Sequence, residues 1–304
     1  MRTIALEEHF SHPAMLRGVP PQFGSRLLDL GELRLREMDE ARIDVQILSH
    51  FPNGAQNLPS EEALRLSRET NDLVQRTIET HPDRFAGFAA LPLSSPDEAA
   101  AELRRCVQSL GFKGAMVHGM VNGVPLDDKR FWGVWQEAES LDVPVYVHPD
   151  APPQAVVEAY YDGHPSLIGP GWSYTVETAT QALRLILGGV FDAFPRLKII
   201  LGHLGESLPF SLVRCAANIN RRAGLKRPLE DYFHEHFWLT AAGNFSQPAL
   251  KCCIAEMGID RVMFSVDWPF CSNLEARQFI DAAAIGPSER EKVLGGTAAA
   301  LLRL

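Results

Sequence analysis

Ile4-Ala5-Leu6-Glu7-Glu8-His9-Phe10 reads as a β-strand that ends in Glu-x-His. Side chains two apart on a strand share a face. Glu7 and His9 are therefore expected to project together, with Glu8 pointing the other way. A carboxylate and an imidazole on one face at the end of a buried strand make half of a metal site. The other half has to come from the ends of later strands.

Outward from this segment, short apolar runs alternate with stretches of helical period. The eight predicted strands are Thr3–His9, Val45–Phe51, Phe85–Leu91, Gly114–His118, Val145–His148, Lys198–His203, Phe237–Ala242 and Arg261–Val266. Amphipathic segments lie between them over Glu61–Thr80, Pro96–Leu110, Phe131–Leu141, Tyr174–Phe194 and Leu208–Ala223. Eight such units predict an α/β protein with a (β/α)8, or TIM, barrel forming a single domain over residues 1–304. A doubly wound open sheet lacks support, because no Gly-x-Gly-x-x-Gly follows an early strand. Ser60 is the expected cap of the first long helix, with Pro82 and Asp83 closing it. The longest irregular stretches are 12–26 and 150–173. The second follows the fifth strand on the catalytic side of a barrel, where a long loop serves as a lid or a subunit contact.

The 304 residues are 46% hydrophobic and 22% charged, which suits a globular protein with a large core. A net charge of −9 leaves no basic stripe to neutralise phosphates, so nucleic acid is not an expected partner. The patches Leu33-Arg34-Leu35-Arg36 and Asn220-Arg221-Arg222 read as solvated helix faces. Five cysteines without a C-x-x-C pair read as reduced, mostly buried thiols. Met1 leads directly into the first strand, so no signal peptide is expected. No apolar run approaches the ~18 residues that span a bilayer. A cytoplasmic protein without a membrane partner is the expectation.

Barrels place their chemistry at the C-terminal ends of strands. Those ends carry Glu7 and His9, then His118, His148, His203 and Asp267. Glu7, His9, His148 and Asp267 make a mixed nitrogen and oxygen ligand set suited to one Zn²⁺ or Mn²⁺. Two carboxylates leave such a site formally neutral, so the ion would be a mild Lewis acid. In Gly202-His203-Leu204-Gly205-Glu206, Glu206 can reach back to His203 and form an acid–base pair, or cap the helix that starts near Ser207. Arg214 is a substrate anchor, a support for the site or a surface residue. His118 is a candidate for the pocket lining, and His50 a structural or wall residue. His234-Glu235-His236 precedes the seventh strand and so falls at the opposite, stability end of the barrel. His81 reads as a helix C-cap.

The strand-end motifs Glu7-x-His9, Val147-His148-Pro149, Gly202-His203-Leu204-Gly205-Glu206 and Phe264-Ser265-Val266-Asp267-Trp268-Pro269 resemble those of the metal-dependent amidohydrolase superfamily. More narrowly they resemble its decarboxylase branch, typified by γ-resorcylate (2,6-dihydroxybenzoate) decarboxylase and related to aminocarboxymuconate-semialdehyde decarboxylase. Pro82-Asp83-Arg84-Phe85, Phe88-Ala89-Ala90-Leu91-Pro92 and Asp162-Gly163-His164-Pro165 extend the resemblance over essentially the whole chain.

The resemblance implies an amidohydrolase-type barrel. It also implies one divalent ion on Glu7, His9, His148 and Asp267, a catalytic His203/Glu206 pair, and a matching arginine at Arg214. No organic cofactor is implied, and similar proteins form homodimers or homotetramers. The strand end Met116-Val117-His118-Gly119 departs from the resorcylate enzymes, which tend to carry asparagine in place of His118. The loop His50-Phe51-Pro52-Asn53-Gly54-Ala55-Gln56-Asn57 departs as well. Both bear on the identity of the acid rather than on the metal.

The expected activity is metal-dependent, non-oxidative decarboxylation of an ortho-hydroxylated aromatic acid, a carboxy-lyase reaction. Asp267 would protonate the ring carbon while His203 and Glu206 manage the phenolic proton. Phe10, Trp172 and Trp268 would wall the aromatic ring or pack in the core. The alternative is a metal-dependent hydrolase of a lactone, amide or related carbonyl bond on the same scaffold, with Asp267 taking a proton from water. A catalytically silent metal- or ligand-binding barrel is a third reading, and the complete set of strand-end residues speaks against it.

Overall fold

A computed structural model describes residues 2–16, 19–52 and 54–304. Asn53, in the loop singled out after the second strand, lies outside the described residues, as do Met1, Arg17 and Gly18.

Strands β1 (Ile4–Phe10), β2 (Val45–His50), β3 (Phe85–Gly87), β4 (Ala89–Ala90), β5 (Ala115–His118), β6 (Val145–His148), β7 (Ile199–Leu201), β8 (Phe237–Thr240) and β9 (Val262–Met263) run parallel in chain order. β3 and β4 are one predicted strand interrupted at Phe88. The Phe88 amide donates to Leu48 O (2.9 Å) and the Ala89 amide to Gly114 O (2.9 Å), so this segment joins the two halves of the sheet. Beyond β9 the chain pairs with β1 through a Glu8–Trp268 bridge. The Asp267 amide donates to Glu7 O (3.0 Å) and the His9 amide to Trp268 O (2.7 Å). These bonds form the seam of the predicted TIM barrel.

Alternation along the strands sorts the buried apolar residues into two clusters. Ile4, Leu6, Ile47, Phe88, Tyr146 and Met263 belong to the smaller one, which fills the barrel. Ala5, Leu48, Val117, Val147, Leu201 and Leu239 belong to the larger one, beneath the helices. β1 breaks this alternation. Ala5 pairs with Gln46 and Glu8 with Leu48, so Leu6 and Glu7 together oppose Ile47. One extra residue in a strand is a bulge, and a bulge re-aims the side chains after it. Glu7 and His9 consequently face the barrel axis, and Glu8 and Phe10 face outward.

The helices are α1 (Pro21–Leu28), α2 (Glu32–Glu40), α3 (Ser60–Thr80), α4 (Pro96–Leu110), α5 (Trp132–Leu141), α6 (Gln154–Val156), α7 (Ser173–Leu187), α8 (Val190–Ala193), α9 (Leu208–Ile219), α10 (Leu229–His236), α11 (Gln247–Met257), α12 (Asn273–Asp281), α13 (Pro287–Glu291) and α14 (Thr297–Leu302). Ser60 is not the cap of α3. Pro59 holds that position and no side-chain cap bond forms. His81 is the C-cap of α3, as its position suggested. The helix expected over Tyr174–Phe194 breaks at Gly188-Gly189, where Gly189 is left-handed (φ 76°), into α7 and α8. The irregular stretch 12–26 contains a 3₁₀ turn and the start of α1, and 150–173 is built from α6 and further short helical turns.

Arg34 corrects one reading. It is fully buried in α2 rather than part of a solvated face. All five cysteines are free, with Cys106 and Cys253 buried and the other three half-buried. Among the described residues no helix is long and apolar enough to cross a membrane.

Phe88 lies inside the barrel against Tyr146, with ring centroids 6.1 Å apart. Truncating a fully buried phenylalanine removes its contacts and leaves a cavity. Phe88→Ala should lower the free energy of unfolding by about 3–5 kcal/mol in urea denaturation.

Candidate metal centre

Glu7, His9, His148 and Asp267 each bring one ligand atom to the C-terminal mouth of the barrel, and these atoms lie within 4.8 Å of one another. His148 Nε2 is 3.0 Å from Glu7 Oε1, and His9 Nε2 is 3.3 Å from Asp267 Oδ1 and 3.7 Å from Glu7 Oε1. Glu7 Oε1 and His9 Nε2 are buried without a hydrogen-bond partner. Buried polar atoms are almost always satisfied. Two unsatisfied donor atoms of complementary type, aimed at one point, are what a cation would complete. The residues therefore fit one divalent ion.

Three of the candidate ligands, Glu7, His9 and His148, are braced on their far sides. Tyr146 and Ser49 lie on the inner face of the barrel. The Tyr146 hydroxyl donates to Glu7 Oε2 and sits 2.7 Å from Thr240 Oγ1. His9 Nδ1 faces Ser49 Oγ at 3.3 Å, and His148 Nδ1 faces Pro149 O at 2.7 Å. Such partners fix ring orientation and leave Nε2 for the ion. Tyr146 and Ser49 escaped the sequence reading because they sit within apolar runs. Tyr146 lies two residues before His148, and that spacing is the signal that could have found it. Gly202 is required by close approach. A Cβ there would fall 2.5 Å from Glu7 Oε2 and 2.9 Å from the Tyr146 hydroxyl.

The His203–Glu206 pair rests on an unusual backbone. His203, Leu204, Gly205, Glu206 and Ser207 are all left-handed, with φ between 50° and 75°. For residues other than glycine this costs roughly 1–2 kcal/mol each, and such strain clusters at functional sites. The turn brings His203 Nδ1 within 2.7 Å of Glu206 Oε1. His203 Nε2 then points back into the site, 3.6 Å from Glu7 Oε1 and 3.8 Å from Asp267 Oδ2. Glu206 binds His203, and α9 starts after Ser207 without a side-chain cap bond. Asp267 is also left-handed (φ 75°).

The electrostatics describe a centre that calls for positive charge. Burial alone would raise the Glu7 carboxyl, but His203 and His148 outweigh it and hold Glu7 well below the usual carboxylate range. Burial disfavours a charged His9, yet the neighbouring Asp267 and Glu7 carboxylates raise it to about 9. His203 is likewise opposed by burial and driven well above its ordinary value by Glu206 and Glu7. In this chain alone, protons on imidazoles supply that charge. A divalent ion would supply it with neutral ligands.

The remaining candidates divide. The buried His118 faces inward, its ring 5.2 Å from that of His148. Burial, then His148, His9 and His50, push it well below its ordinary value, so it is neutral. His118 Nε2 bonds His50 O (3.1 Å), the His118 amide donates to Gln56 Oε1 (2.9 Å), and Gln56 Nε2 donates to His118 O. The two segments that depart from the resorcylate pattern are thus one bonded unit. His50 itself is structural: its Nε2 accepts from the His12 amide at 3.3 Å.

Phe10 is buried in the outer core with its ring 5.4 Å from His50. Trp268 is fully buried and stacks under Arg34, with its indole donating to Glu37 Oε2. Both pack as core instead of walling the mouth. Trp172 is half-exposed. Arg214 is exposed on α9, and among the described residues its side chain forms no hydrogen bond or ion pair. Tyr174, unremarked in the sequence, is pushed up to about 12 by burial, with Asp150 and Asp267 adding to it, so its phenol keeps its proton beside the site. His236 and His234 are spent at the other end of the barrel, on Leu197 O (2.9 Å) and Glu256 Oε1 (3.1 Å).

Comparison with known proteins bears on this geometry. Residues 29–304 match the family model described as Amidohydrolase. The chain is 42% identical to the γ-resorcylate decarboxylase of Rhodococcus jostii (strain RHA1), covering 99% of this chain and 98% of that protein. It superposes on a crystal structure of 2,6-dihydroxybenzoate decarboxylase complexed with 2,6-dihydroxybenzoate, with a TM-score of 0.95, 40% identity and complete coverage of both chains. The dihydroxybenzoic acid decarboxylase of Polaromonas sp. JS666, solved with manganese and the inhibitor 2-nitroresorcinol, gives the same TM-score and identity over 100% of this chain and 97% of that one.

Replacing Gly202 by alanine should push Glu7 and Tyr146 apart and weaken Mn²⁺ binding about 10–100-fold. Competition with a calibrated chelator measures this. Unchanged affinity would show that Glu7 does not need the close approach.

Proposed function

The chain belongs to the amidohydrolase family, and from that premise we propose that it is a metal-dependent, non-oxidative decarboxylase of an ortho-hydroxylated aromatic acid, a carboxy-lyase. The observation that carries the reading is the convergence of Glu7, His9, His148 and Asp267, with two of their buried donor atoms unsatisfied. Two carboxylates and two imidazoles suit one Zn²⁺ or Mn²⁺, and the chemistry needs no organic cofactor. Relatives named for decarboxylation of dihydroxybenzoates, one solved with manganese, support the same assignment.

When bound, the ion supplies a Lewis-acidic anchor for the substrate carboxylate and the neighbouring phenolic oxygen. The chain does the proton work. Asp267 takes up a proton from solvent in each cycle, gives it to the ring carbon that carries the carboxylate, and is left a carboxylate. An O–H bond breaks, a C–H bond forms and the ring loses its aromaticity. The C–C bond then breaks, carbon dioxide leaves, and the bonding pair restores the ring. His203, held through Nδ1 by Glu206, keeps Nε2 toward the substrate to take and return the phenolic proton. His118, neutral and inward-facing, would line the wall that meets the substrate, and Tyr174, near Asp150 and Asp267, would keep its phenol protonated at the same mouth. Arg214 remains a candidate anchor for the substrate or support for the site. The hydrolase alternative uses the same Asp267 on water and lacks comparable support from relatives.

The same reading includes one barrel domain over residues 1–304, a cytoplasmic location, and a homodimer or homotetramer with no nucleic-acid or membrane partner. Support for self-association comes from Phe210 and Val213 on α9, large apolar side chains left 85% and 73% exposed beside Arg214.

The test is carbon dioxide release and phenol formation by metal-reconstituted protein. The panel comprises salicylate, 2,3- and 2,6-dihydroxybenzoate, 5-carboxyvanillate and orsellinate-type acids. Turnover that a chelator removes is expected on at least one acid, and Asp267→Asn should abolish it. Wild-type-like turnover by that variant would overturn the role given to Asp267.

A further inference from the structure

Arg34 is a full cation with no exposed surface, in a helix whose sequence reads as solvated. Burying a charge is expensive unless it is bonded on every side. Arg34 is so bonded, and its partners include His9 and Trp268, one on each side of the barrel seam. Its Nε donates to Asp29 O (2.9 Å), Nη2 to the carbonyl of His9, and Nη1 to Gln46 Oε1 (3.1 Å). Its guanidinium lies 3.8 Å from the centroid of the Trp268 ring, a cation–π contact that favours the planar guanidinium.

The bonds continue from Gln46 to the strand pair. Gln46 Nε2 donates to Glu8 Oε2 (3.1 Å). Glu8 Oε1 accepts from the Val266 amide (3.0 Å) and from Ser265 Oγ (3.3 Å). Ser265 Oγ in turn accepts from the Glu7 amide (2.7 Å). Trp268 closes the circuit, since its carbonyl accepts from the His9 amide and its indole donates to Glu37, which Arg26 grips with two bonds. Three of the four candidate ligands, Glu7, His9 and Asp267, sit on the two segments that this network clamps.

We propose that Arg34 and Glu8, linked through Gln46 and stacked on Trp268, are positioning residues that set the spacing of Glu7, His9 and Asp267 and thereby the affinity of the metal centre. This rests on the metal-dependent reading above. A bulged strand and a short irregular segment are poorly fixed by ladder bonds alone. The buried cation supplies the register from behind, without touching ion or substrate. A lysine keeps the charge but loses the fork and the stacking surface.

The experiment titrates Mn²⁺ into full-length protein, with free ion followed by electron paramagnetic resonance and folding by circular dichroism. Arg34→Lys and Gln46→Met should each bind Mn²⁺ at least about 10-fold more weakly than wild type, with an altered spectrum of the bound ion. Gln46→Met leaves Arg34 and Glu8 in place and cuts only the link between them, so it decides the matter if Arg34→Lys does not fold. Arg104→Lys, in the half-exposed pair with Glu137, is the control and should bind as wild type does. Folded Gln46→Met with wild-type affinity and spectrum would overturn the proposal, even if its melting temperature fell. A wild-type protein that binds no Mn²⁺ would overturn the metal-dependent reading and this inference with it.

Discussion

Glu7 is a carboxylate buried in a barrel mouth with one oxygen bonded and the other left open, and the local structure is arranged around that fact. A bulge in β1 turns it inward beside His9. Tyr146 holds its closed side, Gly202 gives it room, and His148 and His203 approach its open side. Burying such a group is unfavourable unless positive charge is delivered to it. The site is therefore built to receive charge, from protonated imidazoles in the bare chain or from a divalent ion.

The same constraint explains why strain gathers where it does. An even strand would send Glu7 outward with Ala5, and an ordinary strand-to-helix turn would not pair His203 with Glu206. The bulge and the left-handed turn over His203–Ser207 are departures from regular structure that aim side chains. The bulge is held by the pairing of β1 with the segment beyond β9, and the turn by the Leu204 amide, which donates to Thr240 O (2.8 Å). Beside the candidate ligands, His118, His50 and Gln56 form a separate bonded unit.

Much of this was legible in the residues. Polar groups directly after apolar runs marked the strand ends, so Glu7, His9, His148, His203 and Asp267 were found together, and the βα alternation gave the barrel. What escaped was whatever depends on long-range context. The extra residue in β1 has no local signature, because Ile4–Phe10 reads the same with or without it. Tyr146 looks like barrel filling until its hydroxyl finds Glu7. Arg34 looks solvated because charge-rich helices usually are, and only the outward face of Glu8, 26 residues earlier, gives it a reason to be inside. Trp268 borders the candidate ligand Asp267 in sequence but turns away from it to pack on Arg34.

The most direct measurement is turnover in D₂O, with nuclear magnetic resonance of the product. Protonation of the ring carbon by an exchangeable acid such as Asp267 predicts a phenol carrying a single deuterium at the carbon that lost its carboxylate, with one carbon dioxide released per turnover. A product that keeps its carboxylate and has gained water across a carbonyl bond would contradict the account and make the protein a hydrolase.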